Sequence, residues 1–271
     1  MCLRPIKILN PTKRISRYGG QKLKLTVKCN HCAECQNSKR DEYSFRTYWH
    51  TKETIKNGGY VLFDTLTYSE DYVPHISDVF DIKKYGVSDF TCFNLNHYKE
   101  FFKRLRSAIE YNYGVNKSIS YLFCSEYGEN DDYTHRPHYH FLLFVKYKFI
   151  DPVWLSQTIS SCWQYGRTDG VLYKDSFKDF AYHVYGYDLG FGNNTETFVL
   201  RAVSQYVSKY ILKNSKFQSE LNKRIDKIIE QCDDADIIES SVKHIKMFHR
   251  ISQGYGIGYL NNSFIKFALK F

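Results

Sequence analysis

Within "THRPHYHFLLF", residues 134–144, His138 and His140 stand one residue apart at the mouth of an apolar run. Strand alternation sends both imidazoles to one face and Tyr139 to the other, so the pair can address one cation or one phosphate. A strand end whose histidines simply face water is the plain alternative. In "YVSKYILK", residues 206–213, Tyr206 and Tyr210 are four apart, and Lys209 and Lys213 each follow a tyrosine by three. On a helix both hydroxyls project from one face, separated by about 6 Å of rise. A phenol ionises only near about pH 10, so it becomes a useful nucleophile where a cation favours the phenolate. An amphipathic core helix with solvated lysines would look similar. A third set, "CNHCAEC", supplies Cys29, Cys32 and Cys35 in two successive C-x-x-C spacings. Thiolates so spaced chelate zinc, and a closed tetrahedral site needs a fourth ligand. Cys2 is the natural fourth, with His31 as a substitute whose ring must reach over a tight turn; three free thiols in a loop are the alternative.

These residues need elements to hold them. Residues 1–35 are basic, turn-rich and cysteine-bearing, and a helical pattern runs from Gln36 to about Lys56 until "NGG" stops it. "YVLFDTLTY", 60–68, has the β-branched and aromatic content of a strand. A polar connection leads to a helix over 96–112, where Tyr98, Phe101, Phe102, Leu105 and Ile109 share one face. "SISYLFCSEYG", 118–128, predicts a second strand, joined by the turn "ENDDYTHRP" to a third over 138–146, so the two should pair as a hairpin. "DPVWLSQTISSCW" opens with an Asp-Pro helix start, and "YGRTDGVLY" predicts a turn into another strand. After a Gly- and Asn-rich loop at 186–194, "ETFVLRAVSQYVSKYILKN" predicts a helix ending near Asn214. The tail reads as a polar helix from 216, an acidic bend "DDAD", then "GYGIGYL" and an apolar end. This order predicts an α+β fold, a central antiparallel sheet with helices on its face, similar to ferredoxin-like topology.

Composition narrows the partners. Thirty-eight Lys and Arg against 29 Asp and Glu give a net charge of +9, which makes an anionic partner plausible. Twenty-four Tyr, 20 Phe and 3 Trp make 17% of the chain aromatic. Cations interleaved with rings suit single-stranded nucleic acid, where one follows phosphates and the other stacks on bases. No run approaches 18 apolar residues and the N-terminus lacks a signal-peptide apolar block, so a soluble, intracellular protein with no membrane partner is expected. Cys92, Cys124 and Cys162 sit singly in apolar segments and are expected to be reduced, buried thiols.

Paired histidines on a strand, followed by a tyrosine helix, resemble the HUH endonuclease superfamily of replication initiators and relaxases. Within it, "EYG…RPHYH" followed by "YVSKY" resembles the Microviridae replication initiators, and the cysteine-rich start is gokushovirus-like. The resemblance runs from Cys2 to about Lys213. It implies a ferredoxin-like or RRM-like nuclease core over 57–215, a zinc-stabilised segment and helix over 1–56, and a C-terminal extension of unassigned role over 216–271. His138 and His140 match the metal-binding pair, and Glu126 in "CSEYG" matches the third ligand, on a strand that can present it to the same side. Glu129, Asp131, Asp132 and His135 in the turn compete for that role. "FDTLTY" resembles the first strand motif, but Asp64 stands where an apolar residue is common, which leaves Thr65 and Thr67 without a firm role. A histidine-triad nucleotide hydrolase would need a third histidine at Leu142.

The implied activity is rolling-circle initiation: metal-dependent nicking and strand transfer of single-stranded DNA at a replication origin through a 5′-phosphotyrosine. Tyr206 and Tyr210 would be the nucleophiles, with Lys209 and Lys213 beside them. Mg2+ or Mn2+ is implied at Glu126, His138 and His140, and Zn2+ at Cys2, Cys29, Cys32 and Cys35. The implied setting is the cytoplasm of a bacterial host carrying a virus, with host helicase and polymerase as further partners. A non-catalytic, zinc-stabilised nucleic-acid-binding protein remains the open alternative.

Overall fold

The computed structural model describes residues 2–9, 24–30, 32–128, 135–169, 184–185 and 218–256. The helix read around Tyr206 and Tyr210, with Lys209 and Lys213, lies outside the described residues, as do His31, Glu129, Asp131 and Asp132.

Two short strands, β1 (Ile6–Leu9) and β2 (Lys24–Val27), form an antiparallel ribbon of their own. A long helix, α1 (Ala33–Lys56), follows and ends at "NGG". There Gly58 takes a left-handed φ of +79°, and a Cβ on Gly59 would lie 2.2 Å from the Val145 carbonyl oxygen, so only glycine fits this approach to the sheet. The central sheet then builds in order: β3 (Tyr60–Tyr68), a short helix α2 (Ile82–Tyr85), α3 (Leu95–Tyr113), β4 (Ile119–Tyr127), β5 (Pro137–Val145), α4 (Pro152–Cys162) and β6 (Gly166–Asp169). Its spatial order is β6-β3-β5-β4, antiparallel throughout. Numbering those four strands by sequence gives 4-1-3-2, the order of the split βαβ, ferredoxin-like motif. The expected α+β fold is therefore the observed one. A two-residue strand, β7 (Val184–Tyr185), also pairs with β3.

Helix ends follow local chemistry. Asn94 caps α3 by accepting from the Asn96 N–H, and Gly114 closes it in a left-handed turn. Asp151 accepts the Trp154 N–H and Pro152 occupies the first turn of α4. The α3 face read from the sequence, Tyr98, Phe101, Phe102, Leu105 and Ile109, is buried against Phe123, Tyr139, Phe141 and Leu143 on one face of the sheet. The opposite face carries a smaller cluster of Val61, Phe63, Leu122, Cys124, Leu142 and Phe144. There α1 lies across it: the His50 ring meets Phe144 at 4.5 Å, and buried Thr47 and Thr51 turn their hydroxyls back to helix carbonyls. Burial on both faces explains why β3 reads as a nearly continuous apolar run.

The C-terminal part departs from its sequence reading. Helix α5 (Gln218–Gln231) begins near the expected place, but a second helix, α6 (Ala235–Ile245), follows instead of a simple acidic bend. Asp234 from "DDAD" is its cap, accepting from the N–H groups of Asp236 and Ile237. Strand β8 (His249–Ile251) then pairs with the outer edge of β4. Cys92, Cys124 and Cys162 are buried free thiols, as expected. No described helix is long and apolar enough to cross a membrane.

Candidate functional site

Register assembles the first site. Glu126 on β4 lies opposite His138 on β5, and Cys124 opposite His140, so Glu126 falls on the histidine face of the sheet. On the other side of β5, Thr65 pairs with His140 and Thr67 with His138. Glu126 Oε2 lies 3.2 Å from His140 Nε2 and 3.7 Å from His138 Nε2, and the three donor atoms all fall within 4.8 Å of one another. Glu126 and His140 are buried, whereas the His138 side chain keeps a fifth of its surface open, 20%.

The far ring nitrogens explain what the near ones offer. His138 Nδ1 lies 3.2 Å from the Arg136 carbonyl, which can only accept, so Nδ1 carries the proton and Nε2 presents its lone pair. His140 Nδ1 is 2.9 Å from Thr65 Oγ1, and its ring stacks on Phe63 at 5.8 Å. Two imidazole lone pairs and a carboxylate oxygen facing one another repel unless a proton or a cation lies among them. A site of two nitrogens and one oxygen with further positions open suits a divalent ion. His135, a sequence competitor, directs Nδ1 to the Gly128 carbonyl at 2.9 Å. Arg136 reaches across to Glu70 in an ion pair. Thr65 is the contributor that sequence reasoning left unassigned; the signal was present in the "FDTLTY" strand, obscured by Asp64.

The second site is made by the β1–β2 ribbon. Ile6 pairs with Val27, which brings Cys2, just before β1, against Cys29, just after β2. Cys2 Sγ lies 3.6 Å from Cys29 Sγ and 3.9 Å from Cys32 Sγ, and Cys29 Sγ is 3.9 Å from Cys35 Sγ. Four sulfurs at about 2.3 Å from a tetrahedral zinc would stand about 3.8 Å apart, so the spacing fits. The Cys29 N–H donates to Cys2 Sγ at 3.4 Å and the Cys32 N–H to Cys29 Sγ at 3.3 Å. Backbone donors, from Cys29 and Cys35 respectively, hold the Cys2 and Cys32 thiols below their ordinary range. Burial pushes Cys35 up to about 12, since a further thiolate among sulfurs needs a cation beside it. Because Cys32 caps α1 and Cys35 lies in its first turn, an ion here would fasten the ribbon to that helix.

Both clusters named from the sequence are thus brought together, while the two tyrosines and their lysines lie outside the described residues. Residues 61–215 match the family model of the ORF2-type replication-associated proteins. Neither the curated proteins nor the solved structures contain a match.

Proposed function

The chain belongs to the ORF2-type replication-associated protein family, and from that premise we propose that it is a virus-encoded HUH-type initiator of rolling-circle replication. The observation that carries this reading is the convergence of Glu126, His138 and His140 on one face of a ferredoxin-like sheet. A Mg2+ or Mn2+ ion bound by these three would polarise a scissile phosphate.

Tyr206 or Tyr210 supplies the nucleophile. Its phenolate oxygen forms the new bond to phosphorus as the P–O3′ bond breaks, leaving a free 3′-hydroxyl that takes a proton and a 5′-phosphotyrosine on the protein. Lys209 and Lys213 offset charge on the phosphate and leaving oxygen, and the second tyrosine performs the next transfer. The substrate is single-stranded DNA at an origin, in the cytoplasm of a bacterial host, with host helicase and polymerase extending the free 3′ end. Zinc at Cys2, Cys29, Cys32 and Cys35 is structural.

Covalent chemistry tests the reading. Incubated with a single-stranded origin oligonucleotide and Mn2+, the protein should yield an adduct that survives denaturation and maps to Tyr206 or Tyr210. His138→Ala should abolish the adduct while leaving DNA binding intact, and Tyr206→Phe with Tyr210→Phe should form none. A native gel shift without any adduct would mark a non-catalytic binding protein instead.

A further inference from the structure

At the opposite end of the sheet from the Glu126 triad lies a groove of about 890 Å³. It is framed by the C-terminal half of α1, the start of β4, the end of β5 and the turn after β8. Arg106, Lys117 and Lys146 line it against a single carboxylate, Glu53. All three cations are exposed, and none is held in an ion pair among the described residues. Aromatic rings stand with them. Tyr121 lies flat on Phe102 at 3.9 Å beneath the Arg106 guanidinium, and Tyr147 stacks on exposed Phe149 at 5.1 Å.

The polar floor of the groove is organised as a donor. The Gly256 N–H points to His50 Nδ1 at 3.5 Å, so that nitrogen accepts and the ring proton sits on Nε2. His50 Nε2–H therefore donates to Ser120 Oγ at 2.9 Å, which leaves the Ser120 hydroxyl proton for an acceptor in the groove. Lys117 adds a backbone feature: its φ of +49° is a left-handed conformation that a non-glycine residue holds only against strain.

We propose that this groove is a second contact for single-stranded DNA, with Arg106, Lys117, Lys146 and the Ser120 hydroxyl on phosphates and Tyr147 and Phe149 stacking on bases. Exposed cations beside open ring faces fit a strand whose bases are unstacked better than a duplex, whose ring faces are closed. Six residues of chain separate His140 from Lys146, about 20 Å at strand spacing. The groove therefore holds sequence flanking the phosphate at the triad. The assignment rests on the reading of this protein as one that handles single-stranded DNA, but not on its nicking it.

Binding without metal keeps the two apart. In EDTA, the affinity of full-length protein for a labelled 30-nucleotide single strand would be measured against salt. Lys117→Gln, Lys146→Gln and Tyr147→Ala change exposed side chains, and their combination should melt with the parent. It should bind at least tenfold more weakly, with the log–log salt slope shallower by about 1.4 because two phosphates are no longer neutralised. Nicking of an oligonucleotide too short to reach the groove should be unchanged. His138→Ala should bind like the parent in EDTA, whether or not the parent nicks. Parental affinity and slope in the triple variant would overturn the proposal, and so would an equal loss of binding to a blunt duplex.

Discussion

Behind the His140 ring, Thr65 Oγ1 sits 2.9 Å from Nδ1, so the nitrogen that faces Glu126 is oriented by a hydroxyl from the neighbouring strand. Partners of this kind fix the tautomer and rotation of a ligand, and losing one commonly weakens metal binding by about 10- to 100-fold. Thr65→Val keeps the shape and removes the hydroxyl. Titration with Mn2+ should show a loss in that range with the fold intact, and unchanged affinity would mean that Phe63 packing alone orients the ring. Residues differed in how visible they were. His138 and His140 were legible from parity alone. Glu126 became legible once the two strands were paired, because a one-residue slip in register would have sent it to the opposite face. Thr65 was hidden by Asp64, whose carboxylate interrupts the apolar pattern. Asp64 Oδ1 accepts the Thr65 N–H at 2.7 Å, and burial pushes its carboxyl well above the ordinary range. That local bond lets an acid occupy an apolar position without turning Thr65 off its face.

The ribbon and α1 are the elements whose stability depends on a few side chains. β1 and β2 share no strand with the central sheet, and Leu3, Ile6 and Ile8 remain exposed, so the four cysteines are their main anchorage among the described residues. An isolated two-stranded ribbon is marginal in water. A strong zinc chelator should therefore bring amide exchange over 6–9 and 24–27 close to unprotected rates while β3, β4 and β5 stay protected. Retained protection would show that the ribbon stands without a metal. The seating of α1 on the sheet depends instead on neutral histidines. His249 bonds Tyr43 at 2.7 Å and His50 bonds Ser120, and burial first, with nearby Lys and Arg charges second, lowers both pKa values from 6.5 to about 4. Unfolded, each takes up a proton near 6.5; folded, it resists until about 4. Between those values the unfolded chain binds more protons, so this stability is complete above pH 6.5 and is lost as pH falls toward 4. Melting temperature should decline steadily from about pH 7 to about pH 4.5, and His50→Gln should flatten the decline. A pH-independent melting temperature would place the helix's stability elsewhere.

For the whole molecule, the order from β3 to β6 was legible because each element carries its own period and its own punctuation. The C-terminal part was not, because α6 follows α5 after a short acidic turn and β8 is the three-residue, mostly polar "HRI". Its place in the fold is decided by partners distant in sequence. Leu221, Ile225, Ile228 and Ile245 are buried in the same core as α3 and the sheet. Phe93 N–H donates to the His244 carbonyl at 2.8 Å, Tyr127 OH to the Ile245 carbonyl at 2.9 Å, and β8 covers the edge of β4. The family match ends at residue 215, yet the sheet of the described fold is completed at 249–251. A chain cut after 215 would expose the β4 edge and the α3 side of the core together. Emptying even one such buried isoleucine position costs roughly 2–5 kcal/mol, a large share of the roughly 5–15 kcal/mol of stability typical of a domain. The truncated chain should be aggregation-prone and lack a cooperative thermal transition, while the full chain melts in one step for residues 60–251. Ile228→Ala, a milder version of the same lesion, should lower the melting temperature without changing the DNA-binding salt slope. A soluble 1–215 fragment that melts cooperatively would show instead that the C-terminal helices dock on a core already complete without them.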